Sequence, residues 1–312
     1  MPTTDIVVTS SQPIAVLGAT GNQGGHVARA LLDAGWQVRA ITRHAESPRA
    51  KALASYGAEI IQADMGEVDT LIRAFERVHG VFSVQNFWEL GLREEVRLGT
   101  NVIEAAQAVG NPHVVYSSGL GAERSRGVAA IDGKAILEKR LVESGMPFTT
   151  LRPALFMDDF LGTSLPFARP IQKALRSHRS FVGRLFIATL RAVLPQDARV
   201  PLTTLDDVGR MTAWALENPS LSQDQAHPVV GSIESPAAIC TLWETARGES
   251  IPYVPGLRQG IHLFHPRMAK LLEWIGTYQD VRPNDKPLLF ETYAEWLLSN
   301  HPSGERQILK LK

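Results

Sequence analysis

Sulfur chemistry is almost absent from this chain, which has one cysteine, Cys240, in 312 residues. A lone cysteine excludes an intrachain disulfide and any multi-cysteine metal site, and it fits a reducing compartment. It lies in the apolar pattern Ile239-Cys-Thr-Leu-Trp243, so a buried packing thiol is expected. Net charge is absent as well. Lysine plus arginine equals aspartate plus glutamate at 32 each, which supplies no broad electrostatic grip on DNA, RNA or an acidic membrane. Direct nucleic-acid binding is therefore not expected. No apolar run is long enough to span a bilayer, and residues 1–12 lack the basic start and apolar core of a secretory leader. The expectation is a soluble cytoplasmic protein. The chain also lacks a Gly-x-Ser-x-Gly nucleophile elbow and a Walker lysine. His262 and His265, three apart, have no neighbouring acid or cysteine in sequence to complete a metal site, so no metal is expected.

What is present begins with the run Ile14-Ala-Val-Leu-Gly-Ala-Thr-Gly-Asn-Gln-Gly-Gly25. An apolar strand over 14–17 leads into glycines at 18, 21 and 24, and a helix over 26–34 follows. A dinucleotide pyrophosphate needs this order. Glycine backbones allow close approach, and free N–H groups at a helix N-terminus face the negative charge. The glycine spacing is Gly-x-x-Gly-x-x-Gly, unlike the Gly-x-Gly-x-x-Gly of many dehydrogenases.

Strand and helix patterns then alternate. Strands are expected over 37–42, 59–63, 81–84, 113–117 and 148–151, and helices over 48–56, 68–78, 92–109 and 129–144, with glycines closing helices. Such alternation means βαβ units around a parallel sheet. The expected fold class is α/β, a Rossmann doubly wound parallel sheet with a smaller C-terminal α/β lobe. Residues 12–153 form the NAD(P)-binding domain and residues 154–312 the smaller substrate or partner lobe. A helix at 205–217, with Asp206 and Asp207 as candidate caps, is expected to pack back onto the first domain. Further helices are expected over 235–247, 267–275 and 292–299, with a short strand over 251–254 and a loose polar tail from 304. The stretch 152–199 shows no clear period. Its basic residues, among them Arg169, Lys173, Arg176, Arg184 and Arg191, suit a solvated helix face.

The end of the second strand lies beside the adenosine ribose in such sheets. Here it reads Thr42-Arg43-His44, with no acid before Glu46. Arg43 offers a planar fork of donors to a 2′-phosphate, which favours NADP(H) over NAD(H); Arg39 is a weaker candidate. Asp64, followed by Met65, can accept from the adenine amino group or cap the next helix. Val84, Gln85 and Asn86 lie at the carboxyl edge of the fourth strand, where Gln85 and Asn86 can bond ribose or nicotinamide. Phe87 and Trp88 can wall the pocket or join the core. Thr20, Asn22 and Gln23 complete the glycine loop, and Ser117 ends the fifth strand.

These motifs together resemble the NmrA-like group of atypical short-chain dehydrogenase/reductases. The resemblance runs through Gly18-Ala-Thr-Gly-Asn-Gln-Gly-Gly25, Val38-Arg-Ala-Ile-Thr-Arg43, Gln62-Ala-Asp-Met65, Val84-Gln-Asn-Phe-Trp-Glu89 and Val115-Tyr-Ser-Ser118. It continues in Gly133-Lys134 and Ser144-Gly-Met-Pro-Phe-Thr-Thr-Leu-Arg-Pro153. It implies a ligand cleft between two lobes, lined by Phe87, Trp88, Phe156 and Phe160. The wider superfamily reduces carbonyls with a Tyr-x-x-x-Lys pair, in which tyrosine passes the proton. Lys134 occupies the lysine position, but four residues earlier stands Ala130. Lys134 is then either a ribose ligand or the catalytic group itself. Two readings follow: an NADP(H) redox sensor that docks with a regulatory protein, or an atypical NADPH-dependent reductase of quinones or small carbonyls. An oligomer is compatible with either.

Overall fold

The structure, a computed structural model, describes residues 11–124, 127–162, 179–278, 281–284, 288 and 290–300. In chain order its first elements are β1 (Ile14–Val16), α1 (Asn22–Asp33), β2 (Val38–Thr42), α2 (Pro48–Ser55), β3 (Glu59–Gln62), α3 (Val68–Phe75) and β4 (Gly80–Ser83). They continue with α4 (Phe87–Ala108), β5 (His113–Ser117), α5 (Ala129–Ser144), β6 (Phe148–Pro153), β7 (Leu155–Phe156) and α6 (Arg179–Val193). The last are β8 (Val200–Thr203), α7 (Leu205–Glu217), α8 (Pro219–Ser222), β9 (Gln225–Val229), β10 (Ser232–Glu234), α9 (Pro236–Arg247), α10 (Leu257–Phe264), α11 (Pro266–Ile275) and α12 (Tyr293–Ser299).

The chain divides into two compact units. One comprises Met1–Ser125, Ile131–Arg152 and Val208–Pro228; the other comprises Arg126–Ala130, Pro153–Asp207 and Val229–Lys312. In the first, a seven-stranded sheet runs in the order β3-β2-β1-β4-β5-β6-β9. Every pairing from β3 through β6 is parallel. Strands buried on both faces need continuous apolar runs. Ile14, Ala15 and Val16 have no exposed surface, and Val81 and Phe82 match them on β4. This is a Rossmann-type sheet, as the alternating pattern implies. Gly209 lets α7 lie directly on α1, since a Cβ there would sit 2.8 Å from the Ala30 Cβ and 3.0 Å from the His26 carbonyl.

Two boundaries differ from expectation for local reasons. α1 starts at Asn22, not at 26, because Gly21 N–H donates to the Gly18 carbonyl at 2.8 Å and the turn feeds straight into the helix. α4 starts at Phe87 but is interrupted at Gly91, whose φ of 74° and ψ of 170° are not helical. The continuous part begins at 92, where the apolar period begins.

The second unit carries a three-stranded sheet in the order β10-β8-β7, antiparallel between β10 and β8 and parallel between β8 and β7. None of these short strands stands out in the sequence. The strand expected over 251–254 does not form. Pro252 and Pro255 remove ladder donors, and Ile251 N–H donates instead to Glu244 Oε1 at 2.8 Å. The cap of α7 is Thr204, whose Oγ1 accepts from Asp207 N–H at 3.0 Å while Asp207 Oδ2 accepts from Thr204 N–H at 3.3 Å. That reciprocal pair is a capping box. Of the basic stretch, Arg169, Lys173 and Arg176 lie outside the described residues. Arg184 and Arg191 on α6 donate to the carbonyls of Ser250 and Pro252, so they tie a loop down instead of forming a solvated stripe. The tail from 304 also lies outside the described residues.

His113, at the start of β5, is buried and shares a 2.8 Å hydrogen bond with Thr149 Oγ1. Burial, with a smaller contribution from neighbouring His79, pushes its pKa from 6.5 down to about 4, against a small opposing pull from Asp224. The unfolded chain therefore takes up a proton at a higher pH than the fold does. The stability contributed by neutral His113 is full above about pH 6.5 and is lost as pH falls toward 4, by roughly 3 kcal/mol at most. Urea unfolding at pH 7.5 and pH 5 will show this loss, and His113→Gln will flatten the dependence. An unchanged pH slope in that variant would assign the acid sensitivity elsewhere.

Candidate functional site

The glycine loop joins β1 to α1 at the carboxyl edge of the parallel sheet, where ligands bind in open α/β folds. Gly18 takes a φ of 62°, which favours glycine, and Val84 Cγ1 would meet a Cβ built on it. Gly24 has no room for a side chain, because a Cβ would press on the Gly18 carbonyl and stand 2.8 Å from the Leu17 carbonyl. Gly21 is the N-cap of α1, has no side-chain cap, and no acid occupies the first turn. The first turn of this helix is thus left without a side-chain cap or a competing acid, as a pyrophosphate site requires.

The rest of the edge is wired to this loop. Ser117 Oγ donates to Gln23 Oε1 at 2.7 Å, joining the end of β5 to the first turn of α1. Thr20 Oγ1 lies 3.2 Å from Thr42 Oγ1, joining the loop to the end of β2. Arg43, next on the chain, is exposed. Arg49 on α2 reaches back and donates to the Thr20 carbonyl at 3.0 Å. Sequence reading missed Arg49, because the helix expected from Pro48 does not by itself show that this side chain reaches back to the loop. Arg39, the weaker candidate, is spent on Glu59 at 2.9 Å and on the carbonyls of Ala74 and Glu76.

Several candidates carry local duties. Asp64 does not cap α3; its Oδ1 accepts from Gly66 N–H at 2.7 Å in a turn, and the residue preceding the helix is Glu67. The Met65 carbonyl accepts from Asn101 Nδ2 at 2.8 Å. Asn86 caps α4 through Trp88 N–H at 3.1 Å. Gln85 is buried, donates to Ser83 Oγ at 3.0 Å, and leaves its Oε1 unpartnered. Phe87 is buried and meets half-buried Trp88 edge-on, with centroids 5.3 Å apart.

In the second unit the expectation for Phe160 fails. It has no exposed surface and packs on Phe186, Tyr293 and Trp296 at 6.0, 5.5 and 6.4 Å between centroids. An aromatic cluster of this kind is core, so Phe160 lines no cleft. Phe156 on β7 is half-buried.

Lys134 projects from α5 and pairs with Glu95 on α4, Nζ to Oε1 at 2.9 Å. Ala130, one turn earlier, is buried and has no proton to give. Tyr116 does not replace the missing tyrosine. Its hydroxyl is fully buried, and burial, with the Glu95 and Glu138 carboxylates adding to it, pushes its pKa far above 10. Ser118, the remaining hydroxyl at this strand end, donates to Glu138 at 2.5 Å, and Glu138 is held by Arg152 at 2.6 Å. As for metals, His262 meets an acid that sequence distance hides: Glu273 Oε1 lies 2.9 Å from its Nε2. Among the described residues no group of three or more His, Cys, Asp or Glu could hold an ion, and no helix among them is long and apolar enough to cross a membrane.

A parallel Rossmann sheet with an uncapped glycine turn on its carboxyl edge defines a dinucleotide-binding type of fold. The NmrA-like family model matches residues 10–269, and the chain belongs to the NmrA-like family. It is 40% identical over 162 residues to himF of Aspergillus japonicus, an oxidoreductase containing an NmrA-like family domain. That match covers 48% of this chain and 48% of himF, so it spans about half the length of that relative. Among solved structures, the NADPH-dependent quinone oxidoreductase of Escherichia coli, complexed with NADPH, superposes with a TM-score of 0.68 at 22% identity, covering 91% of this chain and 98% of that one. NmrA, a negative transcriptional regulator solved with NADP, gives a TM-score of 0.65 at 14% identity, covering 96% of each chain. At these identities the structural likeness speaks for the fold.

Proposed function

We propose that this chain binds NADP(H) on the glycine loop and serves as an NADPH-dependent reductase that dispenses with the tyrosine acid. The observation that carries the binding is the closure at Gly24, where the loop and the first turn of α1 come too near for any side chain. Gly18, Thr20, Gly21, Asn22, Gln23 and Gly24 would hold the pyrophosphate. Val84, Gln85 and Asn86, with Asp64 and Met65, would border the adenosine and nicotinamide halves. When bound, NADPH supplies a hydride. Lys134 would hold the ribose and polarise an acceptor such as a quinone, whose reduced oxygen needs less acid assistance than a simple ketone. Half-buried Trp88 is offered as a wall for a flat acceptor. The second reading is a sensor that binds NADP(H) and docks with a regulatory protein, and buried Ala130 favours it. Titration with NADPH followed by NADPH oxidation across a quinone panel separates the two. Turnover that disappears in a Lys134→Ala variant still able to bind NADPH supports the reductase; tight binding with no turnover supports the sensor.

Arg43 and Arg49 would take the 2′-phosphate, since the end of β2 carries no acid, Arg43 follows it directly in the chain, and Arg49 reaches the carbonyl of Thr20, whose hydroxyl meets Thr42. A charge-assisted contact of this kind contributes about 1.5–3 kcal/mol. Arg43→Ala should weaken NADPH roughly ten-fold or more while leaving NADH unchanged, and Arg43→Ala/Arg49→Ala should abolish the preference. Calorimetric titration measures both. An intact NADPH preference in the double variant would sink the assignment.

A further inference from the structure

We propose that Glu95 is a positioning residue: it fixes the Lys134 ammonium toward the nicotinamide-ribose half of the cofactor. The inference rests on the NADP(H) reading above. Glu95 has no exposed surface, whereas the Lys134 side chain retains 16%. A carboxylate so buried is tolerable only with a cation against it, and Lys134 supplies that cation at 2.9 Å. The pairing is built in by small residues. Gly99 on α4 leaves space that the Leu137 side chain fills, 2.5 Å from where a Cβ would stand. Gly133, beside the lysine, leaves space for the second Glu95 oxygen, also at 2.5 Å. A larger residue at either position would have to displace the Leu137 side chain or the Glu95 carboxylate from where it stands. The lysine stem is fixed separately. Its Cδ lies 3.0 Å from a Cβ built on Gly119, two residues past the carboxyl end of β5. Stem and head are therefore both held, and a long flexible side chain is reduced to few rotamers before any ligand is met. The other Glu95 oxygen has no hydrogen-bond partner among the described residues, and Lys134 donates to its fellow at 2.9 Å.

The test compares two probes on the full chain: NADPH, and 2′,5′-ADP, which carries the adenosine and 2′-phosphate but no nicotinamide half. Glu95→Gln and Lys134→Met should each weaken NADPH roughly ten-fold and leave 2′,5′-ADP within about two-fold of the wild type. The double variant should be no weaker than Lys134→Met alone, because Glu95 acts only through the lysine. Glu95→Asp, which keeps the charge one methylene back, should recover part of the loss. Equal weakening of both probes would mark Glu95 as merely structural, and either that result or additive losses in the double variant would overturn the proposal. So would unchanged NADPH affinity in Glu95→Gln. Should Glu95→Gln fail to fold, Glu95→Asp takes its place, and the same split between probes is required. A folded wild type that binds neither probe would instead overturn the cofactor reading itself.

Discussion

Truncating Phe160 to alanine is expected to cost the second unit about 4 kcal/mol and to leave NADPH affinity unchanged. The ring is fully buried among Phe186, Tyr293 and Trp296, and its contact with Tyr293 is edge-to-face. Removing it deletes the transfer energy of a phenyl ring and leaves a cavity, which together cost about 3–5 kcal/mol in cores that relax poorly. This site has little freedom to relax. Gly183 on α6 lies so close to the Phe160 carbonyl that a Cβ would overlap it, and the Gly162 nitrogen is 3.1 Å from the same point. Helix and turn already touch through backbone, so neither can move in to fill the void. Urea denaturation measures the cost and calorimetry the affinity. A loss below about 1 kcal/mol accompanied by a raised acceptor KM would return Phe160 to the cleft.

That prediction also marks where sequence reading stops. An aromatic residue just after a strand looks the same whether it meets a ligand or three other rings, because its partners at 186, 293 and 296 are remote in sequence. The first unit was legible because each βα step is local: glycines close the helices, and the runs at 14–16, 81–82 and 113–117 are continuously apolar or buried. β7 and β10, of two and three residues, are too short to show any period. The site divided along the same line. The glycine loop is a contiguous motif and could be read directly. Arg49 could not, because its value lies in a bond to Thr20 across 29 positions. Glu95 was equally hidden, since its pairing with Lys134 spans 39 positions and depends on how closely two helices approach. A charge in an amphipathic helix normally reads as solvated; only the fold shows this one buried.

Gly24→Ala is expected to reduce NADPH affinity at least about a hundred-fold, roughly 2.7 kcal/mol, with a smaller loss of stability. The added methyl would stand against the Gly18 carbonyl and within 2.8 Å of the Leu17 carbonyl. Those are backbone atoms at the end of β1, which pairs with β2 and β4 on either side. A flexible side chain could swing away, but this strand end cannot. The first turn of α1 must shift outward, taking with it the N–H groups that would face the pyrophosphate. Gly25→Ala is the matched control. Its methyl would meet the Ala19 carbonyl at 3.3 Å, a crowding that a small adjustment relieves, so affinity should fall by less than about three-fold, or about 0.6 kcal/mol. Both alanines favour helix over glycine by a similar amount, roughly 1 kcal/mol, so propensity cancels between them and the difference reports contact alone. Titration of both variants at a temperature where circular dichroism shows each folded decides the matter. Near-equal affinities for the two variants would mean that the cofactor, if bound, is held somewhere other than this turn.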